Sequence, residues 1–243
     1  MSWFLEDLTI MPQPFSKVVQ PPQTITIQPD TAAKQPELAA LVAQVIGIWA
    51  LVENMLGSTL VDMLGAKASP AIAMYGAIHD TARRAALKAT ADLVLSVDNH
   101  KLFEALMRIH KTHAKQRDKF AHWIWAYCPT APQYVVLINP VKWIHQHAMF
   151  SDVRFQQSYQ NTTVTFEYHG PDEWECYSKT ELQQITERFS LVYKLFQSFQ
   201  TLVGPRVSEL EPRFSEIDDE IYNQIYNFLS THPLVLTELN RHT

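Results

Sequence analysis

The chain has 243 residues, of which 47% are hydrophobic, and 20 Lys and Arg against 25 Asp and Glu give it a formal net charge of −5. That length and apolar share suit one large domain, or a core with an appendage, in a soluble globular protein. The acidic balance excludes a broad nucleic-acid-coating surface, because nonspecific affinity for phosphates comes from clustered cations, so any contact with RNA has to be local.

Residues 1–34 hold Pro12, Pro14, Pro21, Pro22 and Pro29 with the alternating run Thr24-Ile25-Thr26-Ile27, which reads as an extended proline-rich arm with one short strand. The opening Met1-Ser2-Trp3-Phe4-Leu5-Glu6-Asp7 puts acids where a secretory signal needs cations, so a cytoplasmic protein is expected. Residues 35–243 form the main helical domain. Leu38, Leu41, Val42, Val45, Trp49, Val52, Leu56 and Leu60 recur at three- and four-residue spacing, which predicts an amphipathic helix ending near Gly65. Its apolar run, Leu38 to Val52, is shorter than a bilayer needs and is read as a core helix, with no membrane contact. Ser69-Pro70 opens a helical region that runs to about Ser96 with a break near His79-Asp80, and Asp98 is the expected cap of the next helix. That helix carries the apolar stripe Leu102, Phe103, Leu106, Ile109 and Phe120, and Pro129 and Pro132 close it.

The period then changes. Tyr134 to Ile138 and Thr162 to Tyr168 are rich in β-branched and aromatic residues, predicting a small antiparallel β insertion at about 133–170. Ser178-Lys179-Thr180-Glu181 matches a capping box before Leu182, Ile185, Phe189, Val192, Phe196 and Phe199, and Gly204-Pro205 stops that helix. A short helix from about Ile217 to Leu229 is the last predicted element. The fold class expected is mainly α, a helical bundle with a small antiparallel β insertion.

Late in the third long helix lies Arg117-Asp118-Lys119-Phe120-Ala121-His122, followed by Trp123-Ile124-Trp125. At about 100° per residue, Asp118 and His122 share one helix face and Arg117 projects beside them. Histidine suits proton transfer near neutral pH, and arginine offers a planar fork for phosphate. Lys101, Arg108, Lys111, Lys115, Arg117 and Lys119 concentrate positive charge on the same helix, while Glu209, Glu211, Glu216, Asp218, Asp219 and Glu220 read as a solvated acidic face.

The Arg-x4-His motif with a polar residue after the arginine resembles the signature of the HEPN superfamily, helical bundles of which many are metal-independent ribonucleases or toxins. The resemblance implies an up-and-down bundle, a homodimer whose two motifs share one composite cleft, and a function as toxin or defence effector with RNA as substrate, in some members held by an antitoxin or regulatory protein. By this carry-over Arg117 binds the phosphate, His122 moves protons and Asp118 orients them, with Lys111, His113, Lys115 and Lys119 as RNA-contacting residues. Three departures stand out: Asp118 where Asn is common, Trp123 where Gly is frequent, and Ile124 in place of the Tyr of toxins silenced by a nucleotidyltransferase. The alternative is a noncatalytic module of the same type that binds RNA or a protein.

Other residues have a site reading and a plainer one. The motif residues can form an ordinary solvated helix end, with Asp118 and His122 an i,i+4 pair. His110 and His113 can serve a metal, widen the motif site or form a surface pair, and the surface pair is preferred to the metal because no third ligand is near. Glu53, four residues after Trp49, can hold Arg117 or be a rim charge. His145 and His147 alternate as on a strand and are read as β-region surface. Cys128 and Cys176 lack CxxC spacing, which argues against a zinc ribbon or a disulfide framework. With six glycines and no glycine-rich phosphate loop, Gly-x-Ser-x-Gly elbow or HExxH motif, no cofactor or metal is predicted.

Overall fold

The computed structural model describes residues 12–20, 23–28, 30–65, 68–143, 164–168, 174–204 and 215–241. The chain is mainly helical with a small four-stranded antiparallel sheet. The elements begin with β1 (Gln13–Pro14), α1 (Phe15–Val18), β2 (Gln23–Ile27) and a 3-10 turn (Thr31–Lys34). The helices α2 (Pro36–Leu64), α3 (Ala68–Ala77), α4 (Asp80–Val94) and α5 (Val97–His122) follow. Then come β3 (Ile124–Ala126), β4 (Tyr134–Ile138), β5 (Val164–Tyr168), β6 (Trp174–Ser178), α6 (Lys179–Val203), α7 (Ser215–Thr231) and α8 (Pro233–Asn240). His145, His147, Glu209 and Glu211 lie outside the described residues, as do the side chains of Glu216 and Asp218. Asp219 and Glu220 are exposed.

Two compact units divide the chain, one within Ile48–His113 and Phe189–Thr243, the other within Asp7–Gly47 and Ala114–Arg188. The first is a helical bundle. Trp49, Val52, Leu56 and Leu60 of α2, Leu102, Phe103, Leu106 and Ile109 of α5, and Phe189, Val192, Phe196 and Phe199 of α6 are all buried, and Phe103 meets Phe199 at a ring separation of 6.0 Å. Gly65 ends α2 with φ of +56°, a left-handed conformation that favours glycine, and its N–H reaches the Asp62 carbonyl. The expected cap of α5 moves by two residues: the Ser96 hydroxyl oxygen accepts from the Asn99 N–H at 3.3 Å, and Asp98 falls inside the first turn. α8 was not foreseen, although His232 caps it through Nδ1, which accepts from the Leu234 N–H, and Pro233 takes the first helical position.

The second unit holds every strand among the described residues. The four-stranded sheet runs β1-β6-β4-β3, and β2 pairs separately with β5, Ile25 opposite Phe166. The two segments predicted as strands therefore do not pair with each other: β4 lies between β6 and β3, while β5 is taken by the strand of the proline-rich stretch. Alternation explains the sheet's faces. Ala126, Val136, Ile138, Trp174 and Cys176 turn to one side, where Phe15, Val19 and Ile25 join them in one apolar cluster. Val135, Leu137 and Tyr177 turn to the other, and Phe120 of α5 packs on Tyr177 with ring centres 4.9 Å apart. The capping box of α6 forms as expected, the Glu181 N–H donating to Ser178 Oγ and the Ser178 N–H to Glu181 Oε2.

Candidate functional site

Phe120, 3% exposed, anchors the end of α5 to the sheet, and its neighbours in the helix consequently face solvent. Arg117 is 30% exposed along its side chain and Asp118 58%, and His122 is exposed in the last turn. Arg117 Nη1 donates to Asp118 Oδ1 at 3.0 Å. Arg117 Nε has no hydrogen-bond partner among the described residues, and no hydrogen bond joins Asp118 to His122 there. The three motif residues thus cluster on one helix end as expected, with the carboxylate spent on the arginine rather than on the histidine.

Lys119 behaves differently. Its ammonium pairs with Glu175 of β6, whose other carboxylate oxygen accepts from the Tyr177 hydroxyl at 2.9 Å. Burial pushes the Tyr177 phenol strongly up, helped by the Glu175 charge, so it stays a neutral donor. Glu175 is the residue near the motif that sequence reasoning missed, because Trp174 to Ser178 shows no clean apolar alternation.

The basic stretch is largely neutralised from within. Lys101 pairs with Asp98 at 3.4 Å, and Arg108 with Glu104 at 3.5 Å and Glu238 at 3.3 Å. Lys111 and Lys115 are exposed and carry no ion pair among the described residues. Of the four expected RNA-contacting residues, these two alone present an uncommitted cation.

His113 is corrected from surface to core. It is 8% exposed, its Nδ1 lies 2.9 Å from the Ile109 carbonyl, and its ring meets Phe189 edge-on at 5.4 Å. His110 is corrected likewise: at 1% exposure it stacks on Trp49 at 4.6 Å, and Nε2 lies 3.0 Å from Glu53 Oε1. A carboxylate only accepts, so Nε2 carries a proton. Glu53, 27% exposed, reaches across the bundle and accepts from a buried histidine. Burial, with the Glu53 charge as second cause, pushes the Tyr75 phenol up to about 12.

Asp92, His100 and Glu104 bring ligand-type atoms within 4.8 Å of one another. Lys88 already supplies the cation, its Nζ 3.2 Å from Asp92 and 3.0 Å from Glu104, while His100 Nε2 lies 2.7 Å from Asp92. Hydrogen bonds from His100 and then Lys88 hold the Asp92 carboxyl below its usual range. Such a set is a surface ion network. Cys128 and Cys176 are free, buried thiols on the apolar face of the sheet, and burial pushes Cys176 well up. α2 is long and apolar enough to cross a membrane by length and composition alone.

Comparison with family models, with characterised proteins and with solved structures gives no match for this chain. The HEPN resemblance rests on the motif residues alone.

Proposed function

We propose that the chain is a HEPN-like metal-independent ribonuclease, a toxin or defence effector whose full site forms when two copies bring their motifs together. The observation that carries this reading is the placing of Arg117 and His122 at one solvent-facing helix end, with the His122 ring exposed and one arm of the Arg117 fork bonded to Asp118. RNA cleavage by the 2′-hydroxyl needs a base for that hydroxyl, a cation for the charge gathering on phosphorus and an acid for the departing oxygen. Imidazole serves either proton role near neutral pH, and a guanidinium meets phosphate oxygens in pairs. One copy supplies one of each, which is why a pair of copies completes the set.

A second reading, a noncatalytic RNA- or protein-binding module, draws on one specific observation: the Asp118 carboxylate stands 3.0 Å from the guanidinium that phosphate has to reach. The test is cleavage of a mixed-sequence RNA in EDTA by wild type and His122→Ala at equal concentration. Wild-type cleavage that falls about a hundredfold or more in the variant supports the enzyme, in line with the loss of a general acid or base. Equal rates, or no cleavage by either, reject it in favour of the module.

A further inference from the structure

The aromatic run after the motif has no part in the chemistry above. In β3 and just beyond it, Ile124, Ala126 and Cys128 belong to the apolar cluster on one face of the sheet. Alternation turns Trp125 and Tyr127 to the opposite face, and both are half-buried; Trp123, whose backbone N–H donates to the Lys119 carbonyl at the helix end, is half-buried as well. Register carries this face across the sheet: Trp125 pairs with Leu137 and Leu137 with Glu175. Glu175 in turn holds Lys119, whose ammonium stands 5.2 Å from the centre of the Trp123 ring. At the other end the Lys34 ammonium stands 5.2 Å from the centre of the Tyr127 ring. Lys34 is exposed, and no carboxylate pairs with it among the described residues. Trp125, on an edge strand of the four-stranded sheet, is thus flanked in sequence by Trp123 at the end of α5 and Tyr127 just past the strand, each with a lysine ammonium beside its ring.

Rings alone would suit many partners, and the cations narrow the choice. Alternate residues on an extended chain stand about 7 Å apart, so Trp125 and Tyr127 offer successive π-faces rather than one pocket. Any base has a π-face to lay against such rings, and lysines beside them meet the phosphates between bases. Addition of a peptide strand is disfavoured at the Tyr127 end, because the Tyr127 carbonyl and N–H are already bonded to Thr26 at 2.9 and 2.8 Å. At that end the chain presents side chains rather than free backbone. Lys34 and Lys115 bring uncommitted positive charge within the same unit, which complements a polyanion.

From this juxtaposition we infer that Trp123, Trp125 and Tyr127 form a stacking platform for single-stranded RNA, with Lys34 as its phosphate contact. The choice of RNA over DNA rests on the ribonuclease reading; the stacking itself does not. The platform makes no use of His122, so binding and cleavage can fail separately.

The experiment titrates the full chain with a fluorescein-labelled twelve-residue 2′-O-methyl oligouridine, which has no free 2′-hydroxyl to attack and is read by anisotropy at low salt. Wild type is expected to bind, Trp125→Leu to bind about tenfold more weakly, Trp125→Phe to recover most of the loss, and Lys34→Ala to weaken binding severalfold with a shallower salt dependence. Lys34 is exposed, so its variant remains informative if Trp125→Leu does not fold. Two control strands complete the design. Duplex RNA of the same length is expected to bind at least tenfold more weakly, and oligodeoxyuridine more weakly than the 2′-O-methyl strand. Equal binding of duplex overturns stacking, equal or tighter binding of the DNA overturns RNA as the occupant, and wild-type affinity in both Trp125→Leu and Lys34→Ala overturns the platform. Binding with no cleavage in EDTA leaves the platform standing and sinks the ribonuclease. Cleavage without platform-dependent binding does the reverse.

Discussion

Residues 97–113 of α5 and residues 114–122 use the same side-chain types to different ends. In the first stretch His110 is closed in by Trp49 and Phe196 and held by Glu53, and Arg108 is tied to Glu104 and Glu238. In the second, His122 is exposed, and Arg117 leans on the nearest residue of its own helix. The difference lies in what stands opposite. Where another element supplies a carboxylate or a ring wall, a histidine becomes part of the interior; where none does, it stays available to a ligand. A motif read along one helix cannot separate the two cases.

The largest expected effect tests the interior half. Trp49→Ala removes a 2% exposed indole that lines His110 and Phe189, and is expected to cost about 3–5 kcal/mol in denaturant unfolding. His122→Ala, exposed and unwalled, is expected within about 0.5 kcal/mol of wild type in the same titration. Similar losses from both substitutions would erase the contrast.

A smaller effect sharpens it at a third histidine. Burial holds the His232 imidazole below its ordinary value of 6.5, and the neutral Nδ1 caps α8. A depressed folded value means that the unfolded chain binds the proton first. The cap's contribution is therefore whole above about pH 6.5 and is lost as pH falls from there through the folded value. Thermal unfolding at pH 7.5 and pH 5 is expected to show a drop in Tm that is smaller in His232→Asn, which keeps a capping oxygen and does not titrate. An equal drop in both would remove His232 from the pH response.

Much of the helical architecture was legible because its signals are local. The stripe Leu38 to Leu60 and the box Ser178 to Glu181 each lie within one helix or its first turn, and both appear in place. The sheet was not legible in the same way. β6 pairs with β1 and β4 across long stretches of chain, and its Trp-Glu-Cys-Tyr-Ser run shows no clean apolar alternation. Glu175 and its hold on Lys119 were invisible for that reason. His110 and His113 failed differently: their helical spacing was plain, but their burial depends on Trp49, Phe189 and Phe196, far away in sequence. The α8 cap, by contrast, is a local signal carried by His232-Pro233.

The central claim is that Arg117 and His122 are chemical groups and that Asp118 restrains the arginine. It is tested most directly by Asp118→Asn, assayed for RNA cleavage in EDTA beside wild type and the Asp118→Asn/His122→Ala double variant. Asparagine keeps the shape, drops the charge beside the guanidinium and can donate to phosphate, so the single variant is expected to cleave severalfold faster than wild type and the double variant not at all. No cleavage by either the wild type or Asp118→Asn, or equal cleavage by the single and double variants, would contradict the account.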